Sequence, residues 1–141
     1  MRYTSLVAAF LSTLTMLAAA PSQAADLTIT VTGVASANGQ VLVALYNSAE
    51  TYQKKAFRVA GAPAVAGAIT IEIKDLPPGD YAYSLFHDAN GNGKMDSNLI
   101  GIPTEDYAFS NNAMGKFGPP DYEAARFTLP AAGATTSVNL R

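Results

Sequence analysis

The chain has no cysteine, no tryptophan and a single histidine among its 141 residues. The missing thiols exclude disulfide bonds, thiolate metal sites, a cysteine nucleophile and a lipid-modified cysteine. The one imidazole, on His87, has none of the soft or imidazole partners that a transition-metal site needs. We therefore interpret His87 as a partly buried, hydrogen-bonded residue rather than a catalytic group or a metal ligand.

Charge is scarce as well. The chain has 9 Lys and Arg residues against 11 Asp and Glu residues, for a formal net charge of -2. Apart from Lys54 and Lys55, the basic residues are scattered, which argues against a nucleic-acid partner.

Long apolar runs are missing except near the start of the chain. The run from Leu6 to Ala20 is shorter than the roughly 20 residues that a membrane-spanning helix needs. Arg2 precedes it, and Ser22-Gln23-Ala24 supplies the small residues of a cleavage site. We expect residues 1–24 to be a signal peptide. The remaining domain, residues 25–141, is then periplasmic or secreted and has no membrane span.

The dominant pattern in the rest of the chain has a period of two. Apolar residues alternate with polar ones at Leu27, Ile29 and Val31, and again at Ile69, Ile71 and Ile73. About seven such segments, separated by turn signals, predict an all-β sandwich whose core includes the Ile row and Tyr81. The segment from Ala89 to Ala124 has no strand pattern but many apolar residues, so we expect one long ordered loop.

Three segments resemble the bacterial domain of unknown function 2141 family. They read "GQVLVALYNS", "DLPPGDYAYSLFHDANGNGKMDSNLIGIPTEDYAFSNNA" and "ARFTL". The resemblance covers nearly all of residues 25–141 and implies an exported domain of uncharacterised activity. The "LPPGDY" turn is also similar to turns in prealbumin-like sandwiches. That similarity implies a Greek-key β-sandwich of about seven strands, of the prealbumin-like or immunoglobulin-like kind.

The stretch "HDANGNGKMDSNLIGIP" collects oxygen-bearing side chains directly after a strand. Counted from Asp88, the residues Asn90, Asn92 and Asp96 fall at the third, fifth and ninth positions. Lys94, at the seventh, would contribute only its backbone carbonyl. This is the first part of an EF-hand-type loop, in which alternate side chains turn towards one hard cation. The spacing predicts a calcium site.

The predicted calcium site departs from the EF-hand pattern at its twelfth position. A bidentate glutamate belongs there, and the chain has Leu99. Glu105 is our choice to complete the site, with Asp106, Asn98 or water as alternatives. With so few carboxylates, the binding would be weak, on the order of 10⁻⁴–10⁻³ M. The alternative is a metal-free loop in which Asn and Asp side chains satisfy backbone amides.

Function is open between two classes, and neither is an enzyme, since no nucleophile and base are marked by a motif. One class is a structural or interaction domain of the cell envelope, with the calcium loop as a brace and an envelope protein as partner. The other is a binding module for a small ligand, carbohydrate or peptide. Its groove would be lined by Tyr107, Phe109, Phe117 and Tyr122. Exposure of these rings favours binding, and burial favours the brace.

Overall fold

The structure, a computed structural model, describes residues 23–141. The predicted signal peptide, residues 1–24, lies almost wholly outside the described residues. Within residues 23–141, no helix is both long enough and apolar enough to cross a membrane.

The described chain contains eight strands. They are β1 (Ala25–Val34), β2 (Gln40–Tyr46), β3 (Arg58–Pro63), β4 (Gly67–Leu76), β5 (Gly79–Asp88), β6 (Tyr107–Phe109), β7 (Phe127–Leu129) and β8 (Ala134–Asn139). A single 3₁₀ turn, Ser110–Asn112, follows β6, and a four-residue helix, α1 (Tyr122–Ala125), precedes β7.

The strands form two sheets. The smaller sheet has the order β4-β1-β8, in which β1 runs antiparallel to β4 and parallel to β8. The larger sheet has the order β3-β2-β5-β6, and β7 pairs with the first residues of β5. The predicted all-β sandwich is confirmed. The strand number exceeds seven because β6, only three residues long, lies inside the segment that we expected to be a loop.

The core fills the space between the two sheets. Odd-numbered residues of β1, β2 and β5 point into it, because alternate side chains of a strand face opposite sides. Ile71, Ile73 and Tyr81 are buried there, as predicted, and Ile69 packs against its margin. The hydroxyl of Tyr83 lies 2.9 Å from that of Thr136 and joins the two sheets across the core. Burial raises the pKa of Tyr83 to about 12, so this hydroxyl keeps its proton well above neutral pH.

A second apolar cluster lies on the outer face of the larger sheet. Tyr46 and Ala82 project outward from β2 and β5, and Tyr52 and Ala125 cover them. Tyr52 belongs to the turn after β2, in which the Ser48 hydroxyl accepts a hydrogen bond from the Thr51 amide. The Tyr52 amide also donates to the Ser48 carbonyl at 3.1 Å, and this turn covers one end of the face.

Replacing Ile71 with alanine tests the strand register. Ile71 is 3 % exposed, so the change leaves a cavity and should lower the free energy of unfolding by roughly 2–5 kcal/mol. Thr70→Ala is the matched control, because Thr70 lies next to it on β4 with its side chain in solvent. Urea denaturation measures both. A loss below about 0.5 kcal/mol for Ile71→Ala, within the range of neutral surface changes, would contradict this register.

Candidate functional site: an apolar groove beside a polar loop

The candidate site lies on the outer face of the larger sheet, beyond the cluster around Tyr46. Even-numbered residues of β2 and β5 point to this face, and their pairing places Ala44 beside Ser84 and Leu42 beside Phe86. On the other side of β5, Ser84 pairs with Phe109. Small side chains in the middle of the sheet, with larger ones around them, give the face a depressed floor.

Asp88 ends β5 on the same face and begins the polar loop, which we define as residues 88–106. Its carboxylate is completely buried and charged. The Gln40 side chain donates to Oδ2 at 3.1 Å, the Gly93 amide donates to Oδ2 at 2.8 Å, and the Asn92 amide donates to Oδ1 at 3.1 Å. Desolvation alone would raise the pKa of Asp88. The hydrogen bonds from Gln40, Gly93, Asn92 and Gly91 together outweigh it and lower that pKa.

The next residues of the calcium motif converge on Asp96. The side-chain amide of Asn90 donates to Asp96 Oδ2 at 2.6 Å, and that of Asn92 donates to both carboxylate oxygens at 2.9 and 3.0 Å. The Asn92 oxygen accepts the backbone amide of Lys94 at 2.9 Å. The side chains of Asn90, Asn92 and Asp96, which the motif predicts to face one cation, are therefore in contact. Asp88 accepts hydrogen bonds from the same turn.

Glu105 also reaches this turn. Its Oε2 accepts a hydrogen bond from the backbone amide of Asp96 at 3.0 Å, so a carboxylate from the far end of the loop lies beside the motif. Of the alternatives, Asn98 uses its side-chain oxygen elsewhere, and Asp106, within the described residues, is held only through its backbone carbonyl. The Asn98 oxygen accepts the amides of Ile100 and Ile102, and the Asp106 carbonyl accepts the amide of His87.

The donors of the polar loop are mixed rather than purely acidic. Among residues 23–141, no group of three or more histidine, cysteine, aspartate or glutamate side chains lies close enough to hold a metal ion. A cation site in this loop would therefore depend on asparagine and carbonyl oxygens as well as on carboxylates.

His87 lies on the core side of β5 and is 3 % exposed. Its Nε2 is 2.7 Å from the carbonyl of Asn38. A carbonyl only accepts, so Nε2 carries the proton and donates it. This geometry matches the interpretation of His87 as a hydrogen-bonded structural residue, and its burial is deeper than we expected.

An open groove of about 780 Å³ occupies the middle of the outer face. Its floor is the sheet, and its two walls come from the polar loop and from residues 114–119. The main side chains of the floor are Leu42, Ala44, Ser84, Phe86, Tyr107 and Phe109, and those of the walls are Met95, Ile102, Met114 and Phe117. Phe117 is fully exposed, and Met114 is 64 % exposed. Exposed apolar side chains gathered around one concave surface are typical of a binding site.

The four rings expected to line a binding groove differ in how exposed they are. Tyr107 and Phe109 are half-buried on the groove floor, and Phe117 stands in solvent on its wall. Tyr122 instead packs edge-on against Tyr52, with ring centroids 5.7 Å apart. Of the four rings, Phe117 alone has the exposure that favours binding, because Tyr107, Phe109 and Tyr122 are all half-buried.

A clamp that the sequence did not reveal holds the wall in place. The buried hydroxyl of Ser110 donates to the Ala125 carbonyl at 2.6 Å and accepts the Tyr83 amide at 3.0 Å. Asn111 and Asn112 both adopt positive φ. The Asn111 side chain donates to the carbonyls of Ala124 and Arg126, and Asn112 Oδ1 accepts the amide of Asn139. The signal was the pair of asparagines, which tolerate the left-handed conformation better than most residues.

Replacing Asp88 with asparagine tests the anchor of the polar loop. In the variant, the side-chain NH2 of asparagine replaces one carboxylate oxygen and faces N–H donors that are left without an acceptor. We therefore expect the melting temperature at pH 7 to fall by roughly 5 °C or more. The lowered pKa also means that the wild-type carboxylate stabilises the fold above about pH 4, its unfolded value, and that this contribution is lost as the pH falls through the folded value. Asp88→Asn should flatten that acid dependence.

Asp106→Asn is the control for Asp88→Asn, because it removes the same charge nearby. Within residues 23–141 no hydrogen bond to the Asp106 carboxylate is present. Thermal melts from pH 2 to pH 7 compare the two variants. Equal shifts would show that charge alone, rather than the buried hydrogen bonds, accounts for the effect of Asp88.

Comparison with known proteins identifies a family. Residues 29–138 match the model of a family described as uncharacterized protein conserved in bacteria, DUF2141. No curated protein and no solved structure matches the chain. The resemblance seen in the sequence is confirmed: the chain belongs to the DUF2141 family of uncharacterised bacterial proteins.

Proposed function

We propose that the chain is a non-enzymatic binding module of the cell envelope that holds a small ligand with a large apolar part. The observation that carries the proposal is the open groove on the outer face of the larger sheet. Its floor is built on paired strands, so it is rigid before any ligand arrives. Its volume of about 780 Å³ falls within the range of roughly 300–1,000 Å³ that is common for small-molecule sites.

The energetics favour occupancy of this groove. Phe117 and Met114 hold apolar surface in water, and each buried methylene of a ligand gains about 0.8 kcal/mol. Covering these side chains would remove their surface from water as well. A groove that existed only as a brace would bury its rings, whereas Phe117 is fully exposed.

The non-enzymatic part of the proposal is supported by the position of His87. Its ring is buried and its Nε2 is committed to the Asn38 carbonyl, so it is not placed to act as a base in the groove. The envelope location is supported by the signal-peptide pattern of residues 1–24.

A substitution on the groove floor tests the proposal. Ser84→Trp should fill the depression while leaving the core unchanged, because Ser84 points outward. We expect anilinonaphthalene sulfonate to bind wild-type protein with enhanced fluorescence and to lose most of that enhancement with Ser84→Trp. Ser84→Ala is the matched control and should keep it. Failure of the folded wild-type protein to enhance the dye at all would overturn the proposal.

A second candidate function, weak calcium binding by the polar loop, is supported by the convergence on Asp96. The proposed ligands are Asp88, Asn90, Asn92, the Lys94 carbonyl, Asp96 and Glu105. The side-chain nitrogens of Asn90 and Asn92 now meet Asp96, and their oxygens accept backbone amides. Binding an ion through these oxygens would therefore require both amides to turn over and give up those backbone bonds. The ion's role would be structural, because residues 93–103 of the loop form one wall of the groove.

Calorimetric titration of chelator-treated protein tests the calcium proposal. An ion that binds only the folded state raises the melting temperature, and the gain at a few times Kd is about 1 kcal/mol. Asp96→Asn should abolish the response, whereas Asp106→Asn, outside the proposed ligand set, should preserve it. No heat and no thermal shift up to about 10 mM calcium, an order of magnitude above the expected Kd, would favour the metal-free loop.

A further inference from the structure

We infer that the ligand of the groove is an amphiphile with one anionic head and an unbranched alkyl chain. This inference rests on the proposed binding function and deepens it by naming the ligand class. Three observations carry it: the charge of the lining residues, the shortage of hydrogen-bonding groups on the floor, and the type of apolar side chain in the walls.

The charge of the groove is one-sided. Among residues 23–141, Lys116 is the only charged residue that lines it, and no aspartate or glutamate does. A small cleft of about 40 Å³ continues from the groove, shares Tyr107 and Met114 with it, and adds a second cation, Arg141. In the same part of the chain, no ion pair involves the side chain of either cation. In a chain whose net charge is negative, a lysine in the lining of an apolar groove and an arginine in the adjoining cleft fit a single anionic head.

The floor offers few hydrogen-bonding groups. The backbone amides and carbonyls of β2 and β5 are paired within the sheet, so they are not available to a ligand lying on its face. Of the described side chains that line the groove, only Gln53, Ser84 and the hydroxyls of Tyr46 and Tyr107 are neutral and polar. A sugar or an extended peptide would leave many of its polar groups without partners, which is costly in a groove. An alkyl chain has no such groups.

The walls suit a flexible chain. Met95 and Met114 face the groove from opposite walls, and their unbranched side chains adapt to a ligand that lacks one fixed shape. Arg141 and Met114 line the same small cleft, so the apolar wall adjoins a cation. The arrangement places an alkyl chain along the floor and its head near Lys116.

Calorimetry with monomeric alkyl carboxylates tests this inference. Decanoate, dodecanoate and tetradecanoate, each below its micelle-forming concentration, should bind with a Kd that tightens roughly tenfold for every two methylenes. Dodecyl trimethylammonium, with the same chain length and the opposite charge, should bind more weakly than dodecanoate.

The head-group contact is tested by Lys116→Gln. The affinity for dodecanoate should fall about two- to fivefold, the range expected for an exposed ion pair, and its dependence on salt should weaken. Binding of dodecanol, which has no charge, should be unchanged. Lys74→Gln, which removes a lysine from the smaller sheet, is the matched control and should leave both ligands unaffected.

The outcomes separate this inference from the proposed function. If Ser84→Trp abolishes dye binding but the affinity for alkyl carboxylates does not rise with chain length, or the ammonium binds equally well, the anionic-amphiphile assignment is wrong and the groove still binds. If the wild-type protein binds neither the dye nor any amphiphile, the proposed function itself is wrong. Tighter binding to anionic phospholipid vesicles than to monomeric carboxylates would overturn the assignment in favour of a membrane surface.

Discussion

The buried carboxylate of Asp88 holds the outer face of the molecule in its observed shape. Water does not reach it, so its charge is tolerable only because donors surround it. Those donors come from two places: the Gln40 side chain at the start of β2, and the amides of Asn92 and Gly93 in the polar loop. The charge therefore ties the end of the central strand to its neighbour and to the loop at once. Removing it would release the loop at its first turn.

The outer face of the larger sheet is divided into three regions by the segments that leave its strands. At one end, the turn after β2 and the helix α1 bring Tyr52 and Tyr122 down onto the sheet. At the other end, Asp88 starts the polar loop. Between these two ends, the side chains of the floor, Ala44 and Ser84, are small. Nothing in the described chain closes over them. The Ser110–Asn112 clamp fixes the start of the segment 114–119 to β8 and to the residues around α1. This segment therefore forms a wall beside the groove and does not fill it.

The fold and the polar loop could be predicted because their signals are local. Alternation along β5 decides which residues face the core, and the spacing from Asp88 to Asp96 brings those side chains together by local geometry alone. Strand β6 was missed because three residues are too few to show a period. Most of strand β3 has no strand signal in the sequence, because Gly61 and Pro63 are typical of a loop. An edge strand tolerates proline, because one side of its backbone needs no partner.

The groove could not be predicted, because it depends on distances between segments far apart in the sequence. Phe117 in isolation resembles a core residue, since most phenylalanines are buried. The segment that carries it follows the clamp, which relies on positive φ at Asn111 and Asn112 and on carbonyls more than ten residues away. No periodic pattern encodes such a contact. The sequence offered the aromatic residues of the long segment, and only the structure separates those on the groove from Tyr122.

The polar loop and the groove share a wall, and this has a thermodynamic consequence for the two proposed ligands. Residues 93–103 adjoin both proposed sites. They begin at the turn that is bonded to Asp88 and end close to Glu105, and several of them line the groove. A calcium ion that orders this segment would lower the entropy that an apolar ligand must lose on binding beside it. Linkage is reciprocal, so the ligand would strengthen calcium binding by the same factor. A weak ion site is then best explained as a support for the groove wall rather than as a separate function.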